Sequence, residues 1–598
     1  MTLRADLAAA IAQGVEAESS IEAYSALRVL DPLLRLVARR RLGRLLERVN
    51  RETIDPHWGH RLRVAALLLD QPNRELDWDD GPAVLGAYAV LPPKPAPARR
   101  WPWFTLGVLA GAGVLIVGAF QLARVLAPFD PRRTAGGHVL GEVLGHFVAK
   151  TSNGLGPSAL AEAKAAISDP AAERALGVET TAALKQLLSA ATVVAASDAA
   201  NAAASEGFFG GANALDARLH ARRLPYFVDA DVISRAGESL PLLMSFYVER
   251  ESQFEARGIT VRALDLWRLD TLGVRFGALG YTRPRTPAAL VLLDQVESEL
   301  VRSILPALPP GEACELVDDD TREQNLPWVS EVERTLGQTV RKHYAALSSD
   351  ANVMTVGKLL ARRRALVRRW RASIAEGGRL FHVPERLIPE ADYGTELHLR
   401  VANEELYEWD ELHQDLLAPA NYAAFLRLRE PYVSSIERHE VEHRLDFVQG
   451  FRPVPPILCK LLGLENALDA PVGGLQARAS EELSAYLAQV AEASDSPVLE
   501  LVVLSTLLLD QRNAGGAYWY ASLALFEAVA SELGIDPELV VGHGRLDRER
   551  IARLVLQVTA IPPIELKQAG ARAYERAFGE PVPHVTRKAL YENQAWRH

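Results

Sequence analysis

The chain has 598 residues, 48% hydrophobic and 24% charged, with a formal net charge of −10. That length exceeds what one core organises and points to several domains. The acidic balance excludes a nucleic-acid partner held by displaced counterions, and two cysteines, Cys314 and Cys459, form no C-x-x-C or cysteine-rich zinc site.

Residues 1–90 read as a small helical domain. Its strongest stretch, about 20–50, places Leu27, Leu30, Leu34, Val37, Leu45 and Leu46 on one side, with Pro32 as a kink. The cluster Arg39, Arg40, Arg41, Arg44 and Arg48 is either a solvated helix face or a contact for anionic lipid. No secretory signal is visible at the N-terminus. Residues 91–102 are a proline-rich linker, stiff and extended. Residues 103–125 then carry an uncharged run, Trp103 to Ala123, long enough to span a bilayer as a single transmembrane helix. Trp101 and Trp103 stand where an interfacial belt would hold them, and Gly107 and Gly111 form a G-x-x-x-G pair that can join two such helices in a homodimer. A short N-terminal region without an export signal is most simply cytoplasmic. The larger C-terminal part then lies in the periplasm of a bacterial inner-membrane protein.

Residues 134–325 read as an α+β middle domain. Alanine-rich helices run to about Ala204, a break is expected over Gly207–Gly211, and strands at 242–248 and 259–269 flank a polar turn at 255–258. Phe246, Val248, Leu264 and Leu266 are its packing residues. Asp229, Asp231 and Asp265 are expected to be solvated or capping, and the run 318–320 lacks a calcium-ligand ladder. This domain would be a spacer, a regulatory element or a substrate-presenting one.

Residues 326–598 are read as a helical C-terminal domain. Helices are expected at 329–347, 356–375, 432–448, 475–491, 498–509 and 516–533, with a strand at 397–401 that would align a substrate by β-addition. The helix at 432–448 carries His439-Glu440-Val441-Glu442-His443, an HExxH sequence. Two histidines four residues apart share one helix face, which suits two imidazoles on one zinc ion. Glu440 is rotated about 100° away and is placed to take a proton from a water on the metal. Val433, Ile436, His439, Glu440, His443 and Phe447 form the inward stripe, with Glu437, Arg438, Glu442 and Arg444 mostly on the other side. The alternative is a pair of hydrogen-bonded core histidines with Glu440 on an exposed edge.

Downstream, Ala479-Ser480-Glu481-Glu482-Leu483-Ser484-Ala485-Tyr486 resembles the second helix of gluzincin metallopeptidases, in particular the E-x-x-A-D element of the prenyl-protein endopeptidase and heat-shock membrane protease family. The resemblance implies Glu482 as third zinc ligand, with Ala485 letting the two helices approach; Glu481 is the alternative ligand. The pattern departs at Tyr486, where the family's Asp would support a zinc-bound histidine. Together these readings give a mainly α, multidomain, membrane-anchored zinc metallopeptidase acting on protein or peptide, with Glu440 as general base. A catalytically silent zincin-like scaffold is the alternative. Tyr518 and Tyr520 are either core aromatics or oxyanion donors. Cys314 and Cys459 are two buried thiols or, in an oxidising compartment, one disulfide.

Overall fold

The computed structural model describes residues 129–593, apart from 198–201, 236–237, 271–277, 318–325, 376–402, 451, 464–473, 494–496, 537–540 and 543–544. The expected N-terminal domain, linker and transmembrane helix, the acidic run 318–320 and the strand 397–401 lie outside the described residues. Among the described residues no helix is long and apolar enough to cross a membrane.

The fold is mainly helical with one six-stranded sheet. Short helical turns over 131–143 lead into α1 (Leu144–Ser152), α2 (Gly156–Ile167), α3 (Pro170–Leu176), α4 (Val178–Ala195) and α5 (Ala202–Ala221). The strands follow: β1 (Tyr226–Arg235), β2 (Glu238–Ala256), β3 (Ile259–Arg268), β4 (Gly280–Tyr281) and β5 (Ala288–Leu292). The later elements are α6 (Leu293–Glu299), α7 (Pro327–His343), α8 (Ala351–Ala375), α9 (Asn403–Leu417), α10 (Pro419–Gln449), α11 (Pro456–Leu462), α12 (Leu475–Glu492), α13 (Val498–Leu509), α14 (Ala517–Glu532), the two-residue strands β6 (Val541–Gly542) and β7 (Arg545–Leu546), α15 (Arg548–Thr559), α16 (Pro563–Phe578) and β8 (Thr586–Glu592).

The sheet order is β1-β2-β3-β5-β4, and β8 pairs with the part of β2 that β1 does not reach. Only β3 and β5 are parallel. β2 and β3 form the expected hairpin, closed by Arg257 (φ 50°) and Gly258 (φ 75°), two left-handed residues as a tight primed turn requires. Phe246, Val248, Leu264 and Leu266 are all buried.

Side chains alternate along β3. Val261 and Ala263 pack with Val441 and Leu445 of α10, while Arg262 turns the other way to Asp216 of α5 at 2.7 Å. Helices therefore cover both faces. The segments expected as separate middle and C-terminal domains share this sheet and one compact unit containing Ala127–Arg364 and Gln414–His598. In the other unit, Trp370 and Trp409 pack with ring centroids 5.2 Å apart.

Three local expectations change. Helix α5 runs through Gly207–Gly211 without a break. Gly211 lies against Leu187 of α4, 3.4 Å from where its Cβ would stand, and the packing of α5 on α4 outweighs weak helix propensity. Asp229 and Asp265 are buried rather than solvated: Arg283 lies 3.3 Å from Asp229 and Arg250 lies 2.7 Å from Asp265. Helix α10 begins well before residue 432 and passes through Pro431. Burial of Phe425 and Leu428 before the proline and of Tyr432 and Val433 after it offsets the lost backbone hydrogen bond.

Salt bridges also hold α10 to the sheet. Arg429 reaches Glu249 of β2 at 2.6 Å and Glu297 of α6 at 3.0 Å, all three buried. Removing the cation would strand two buried carboxylates. Arg429→Ala is expected to lower unfolding stability by about 3–5 kcal/mol in a denaturant titration, against about 1 kcal/mol for Gly258→Ala in the hairpin turn.

Candidate metal centre

From Ser435 to His443 every residue of α10 is buried, more than two full turns. Val441 and Leu445 face the sheet. His439 and His443, each two residues earlier, are rotated about 200° from them and face α12 instead. Ala485 on α12 is fully buried and small, which suits the close packing of α10 and α12.

Three donor atoms converge between these helices. The Nε2 atoms of His439 and His443 are 3.0 Å apart, and Glu482 Oε2 lies 3.4 Å from the first and 3.6 Å from the second. A tetrahedral ion with ligands at about 2.0–2.2 Å spaces its donors by about 3.3–3.6 Å. Among the described residues the buried Glu482 Oε2 has only these two imidazoles facing it, and neither meets strict hydrogen-bond geometry. His439, His443 and Glu482 are the one group of this kind among the described residues; Glu481 is not part of it. The donor set, two imidazoles and one carboxylate, therefore fits zinc. The 3.0 Å contact between the imidazoles also permits the simple histidine pair, but Glu440 is buried, not on an exposed edge.

Electrostatics couple the three groups. Burial alone would raise the Glu482 carboxyl, but the two histidines outweigh it and hold the group down to about 2. Burial would lower His443, but the Glu482 carboxylate lifts it to about 10. Glu440 is shifted the other way: burial pushes its carboxyl upward, opposed by His439 and His443.

Glu440 points towards the sheet edge. Thr282 Oγ1 lies 2.9 Å from Glu440 Oε2 and 3.1 Å from the Glu440 carbonyl. Gly280, on edge strand β4, leaves no room for a side chain: a Cβ there would stand 2.6 Å from Leu290 O and 2.8 Å from Glu440 Cγ. Neither residue belongs to a recognisable motif. Both sit some 160 positions upstream, and only the sheet topology brings them to the helix.

Tyr486, one turn on from Glu482, has its ring centroid 4.9 Å from that of His439. It offers packing in place of a carboxylate acceptor, and His439 Nδ1 has no hydrogen-bond partner among the described residues. Tyr518, half-exposed on the first turn of α14, has its phenol raised to about 12 by the Glu482 carboxylate first, then by burial and Glu440. Tyr520 instead packs against Trp519, ring centroids 5.1 Å apart.

Of the charges expected on the outer side of α10, Glu437, Arg438 and Glu442 are buried and Arg444 is part-exposed. Glu442 accepts from Arg438 at 3.0 Å and from Tyr574 at 2.5 Å; Glu437 pairs with Arg587 at 2.8 Å; Arg438 reaches Glu492 at 2.8 Å. A periodicity argument reads charge as exposure and cannot foresee partners from α12, α16 and β8. Cys314 and Cys459 are both buried and unbridged.

No protein family, curated protein or solved structure matches this chain.

His439→Ala and His443→Ala are each expected to lose zinc on dialysis, because two ligands retain it poorly. Glu482→Gln should weaken zinc binding and Glu481→Gln should leave it unchanged; elemental analysis of the four variants checks all of this. Zinc retained in either histidine variant would rule out this ligand set.

Proposed function

We propose that this chain is a membrane-anchored, zinc-dependent metallopeptidase. The observation that carries the reading is the convergence of His439, His443 and Glu482 beside a buried carboxylate, Glu440, that is not itself one of the three. His439 Nε2, His443 Nε2 and Glu482 Oε2 would hold the ion. The chemistry zinc supplies in such a donor set is Lewis acidity towards a water molecule and a carbonyl oxygen.

The protein's own groups do the rest. Glu440 takes a proton from the attacking water as the new C–O bond forms, and gives it to the amine nitrogen as the C–N bond breaks. Its burial suits that shuttle, because a carboxyl lifted above the ordinary range is a better proton acceptor near neutrality. The Tyr518 hydroxyl is the candidate donor to the developing oxyanion. The apolar run 103–125 would anchor the protein through one span, N-terminus inside, with the metal centre on the periplasmic side.

Glu440→Gln keeps the shape of the side chain and removes only the base. It should retain zinc and lose on the order of 10²–10⁴ in turnover of an unfolded protein substrate. Zinc with no turnover in the parent protein would favour the silent scaffold, and unchanged turnover in the variant would exclude this mechanism. Deletion of residues 1–130 should yield protein that no longer sediments with membranes after a carbonate wash, whereas continued sedimentation would count against a single anchor.

A further inference from the structure

We propose that Thr282 is a positioning residue for Glu440, fixing the orientation of its carboxylate through its hydroxyl. This rests on reading Glu440 as the general base. Thr282 Oγ1 is 2.9 Å from Glu440 Oε2 and 3.1 Å from the Glu440 carbonyl oxygen. A hydroxyl has one proton and donates to one of these at a time. The carbonyl lies inside α10, where the amide four residues on already serves it. The carboxylate has no other hydrogen bond among the described residues, so it is the acceptor in need of the proton.

The other carboxylate oxygen is confined by shape. A Cβ on Gly280 would come within 2.8 Å of Glu440 Oε1, so bare backbone occupies that side. One oxygen is thus hydrogen-bonded and the other packed against a glycine. A glutamate has three side-chain torsions, and these two contacts remove the freedom that would let it swing away.

The segment that carries Thr282 is itself braced. Gly280 and Tyr281 pair with Val291 and Leu290. Tyr281 donates to Asp229 Oδ2 at 2.8 Å, and Arg283 reaches Asp229 at 3.3 Å and Asp231 at 3.1 Å. Those aspartates sit on β1, at the other end of the sheet order, so the sheet is curled and its two ends meet beside the site. From the helix side, Arg444 donates to the Pro284 carbonyl at 3.3 Å. A hydroxyl held this firmly can hold the base firmly in turn.

The test compares full-length, zinc-loaded parent, Thr282→Val, Thr282→Ser and Glu440→Gln. Valine keeps the volume and removes the hydroxyl; serine keeps the hydroxyl. Two readouts are taken: kcat and KM on an unfolded protein, and the Kd of acetohydroxamate, a zinc chelator whose own proton hydrogen-bonds to a neighbouring carboxylate. With zinc content unchanged, Thr282→Val should lower kcat on the order of tenfold or more, with KM little altered, and weaken acetohydroxamate several-fold. Thr282→Ser should stay close to the parent in both. Thr282→Val matching the parent in acetohydroxamate affinity overturns the proposal, even in a protein that cleaves nothing. So does a serine variant as impaired as valine. If Glu440→Gln is inactive while Thr282→Val cleaves normally, the positioning role alone falls. If Glu440→Gln cleaves normally, the hydrolase reading falls with it.

Discussion

Helix α10 is buried around its whole circumference from Ser435 to His443, yet six of those nine residues can carry charge or a strong dipole. Each must find a partner or it destabilises the fold. Glu437, Arg438 and Glu442 find theirs in Arg587, Glu492 and Tyr574, drawn from three different elements. Much of the C-terminal chain is arranged around supplying those partners. β8 joins β2 and brings Arg587, α16 brings Tyr574, and α12 brings both Glu492 and Glu482. The imidazoles and Glu482 are what is left: three donors facing one another between α10 and α12. On the proposed reading, a divalent ion would complete that arrangement.

The sheet contributes in a second way. Its hydrophobic contact with Val441 and Leu445 sets the rotation of α10 about its axis. That rotation turns the histidines away from the sheet and leaves Glu440, between the two directions, beside strand β4. Glu440 and the two histidines are therefore aimed by one packing decision, and an error in the sheet face would displace all three.

Much of this was legible in the sequence. HExxH names a helix and a face because helical geometry maps spacing directly onto direction. The β2–β3 hairpin was readable from alternation and from Arg257-Gly258. What escaped reading is long-range. Glu437, Arg438 and Glu442 look solvated because a charge announces its polarity and not its partner. Gly207–Gly211 looks like a loop because glycine propensity says nothing of Leu187 waiting to pack there. Thr282 and Gly280 carry no local signal at all. The pairing of β4 with β5 sets them beside Glu440, some 160 positions further along the chain, and gives them their meaning.

The most direct measurement is X-ray absorption at the zinc edge on the purified full-length protein, paired with its metal stoichiometry. One zinc per chain with two imidazole nitrogens and oxygen donors at about 2.0–2.2 Å, and no sulfur, is the expected result. Substoichiometric zinc, a sulfur shell, or a first shell with fewer than two imidazoles would contradict a metal centre built from His439, His443 and Glu482.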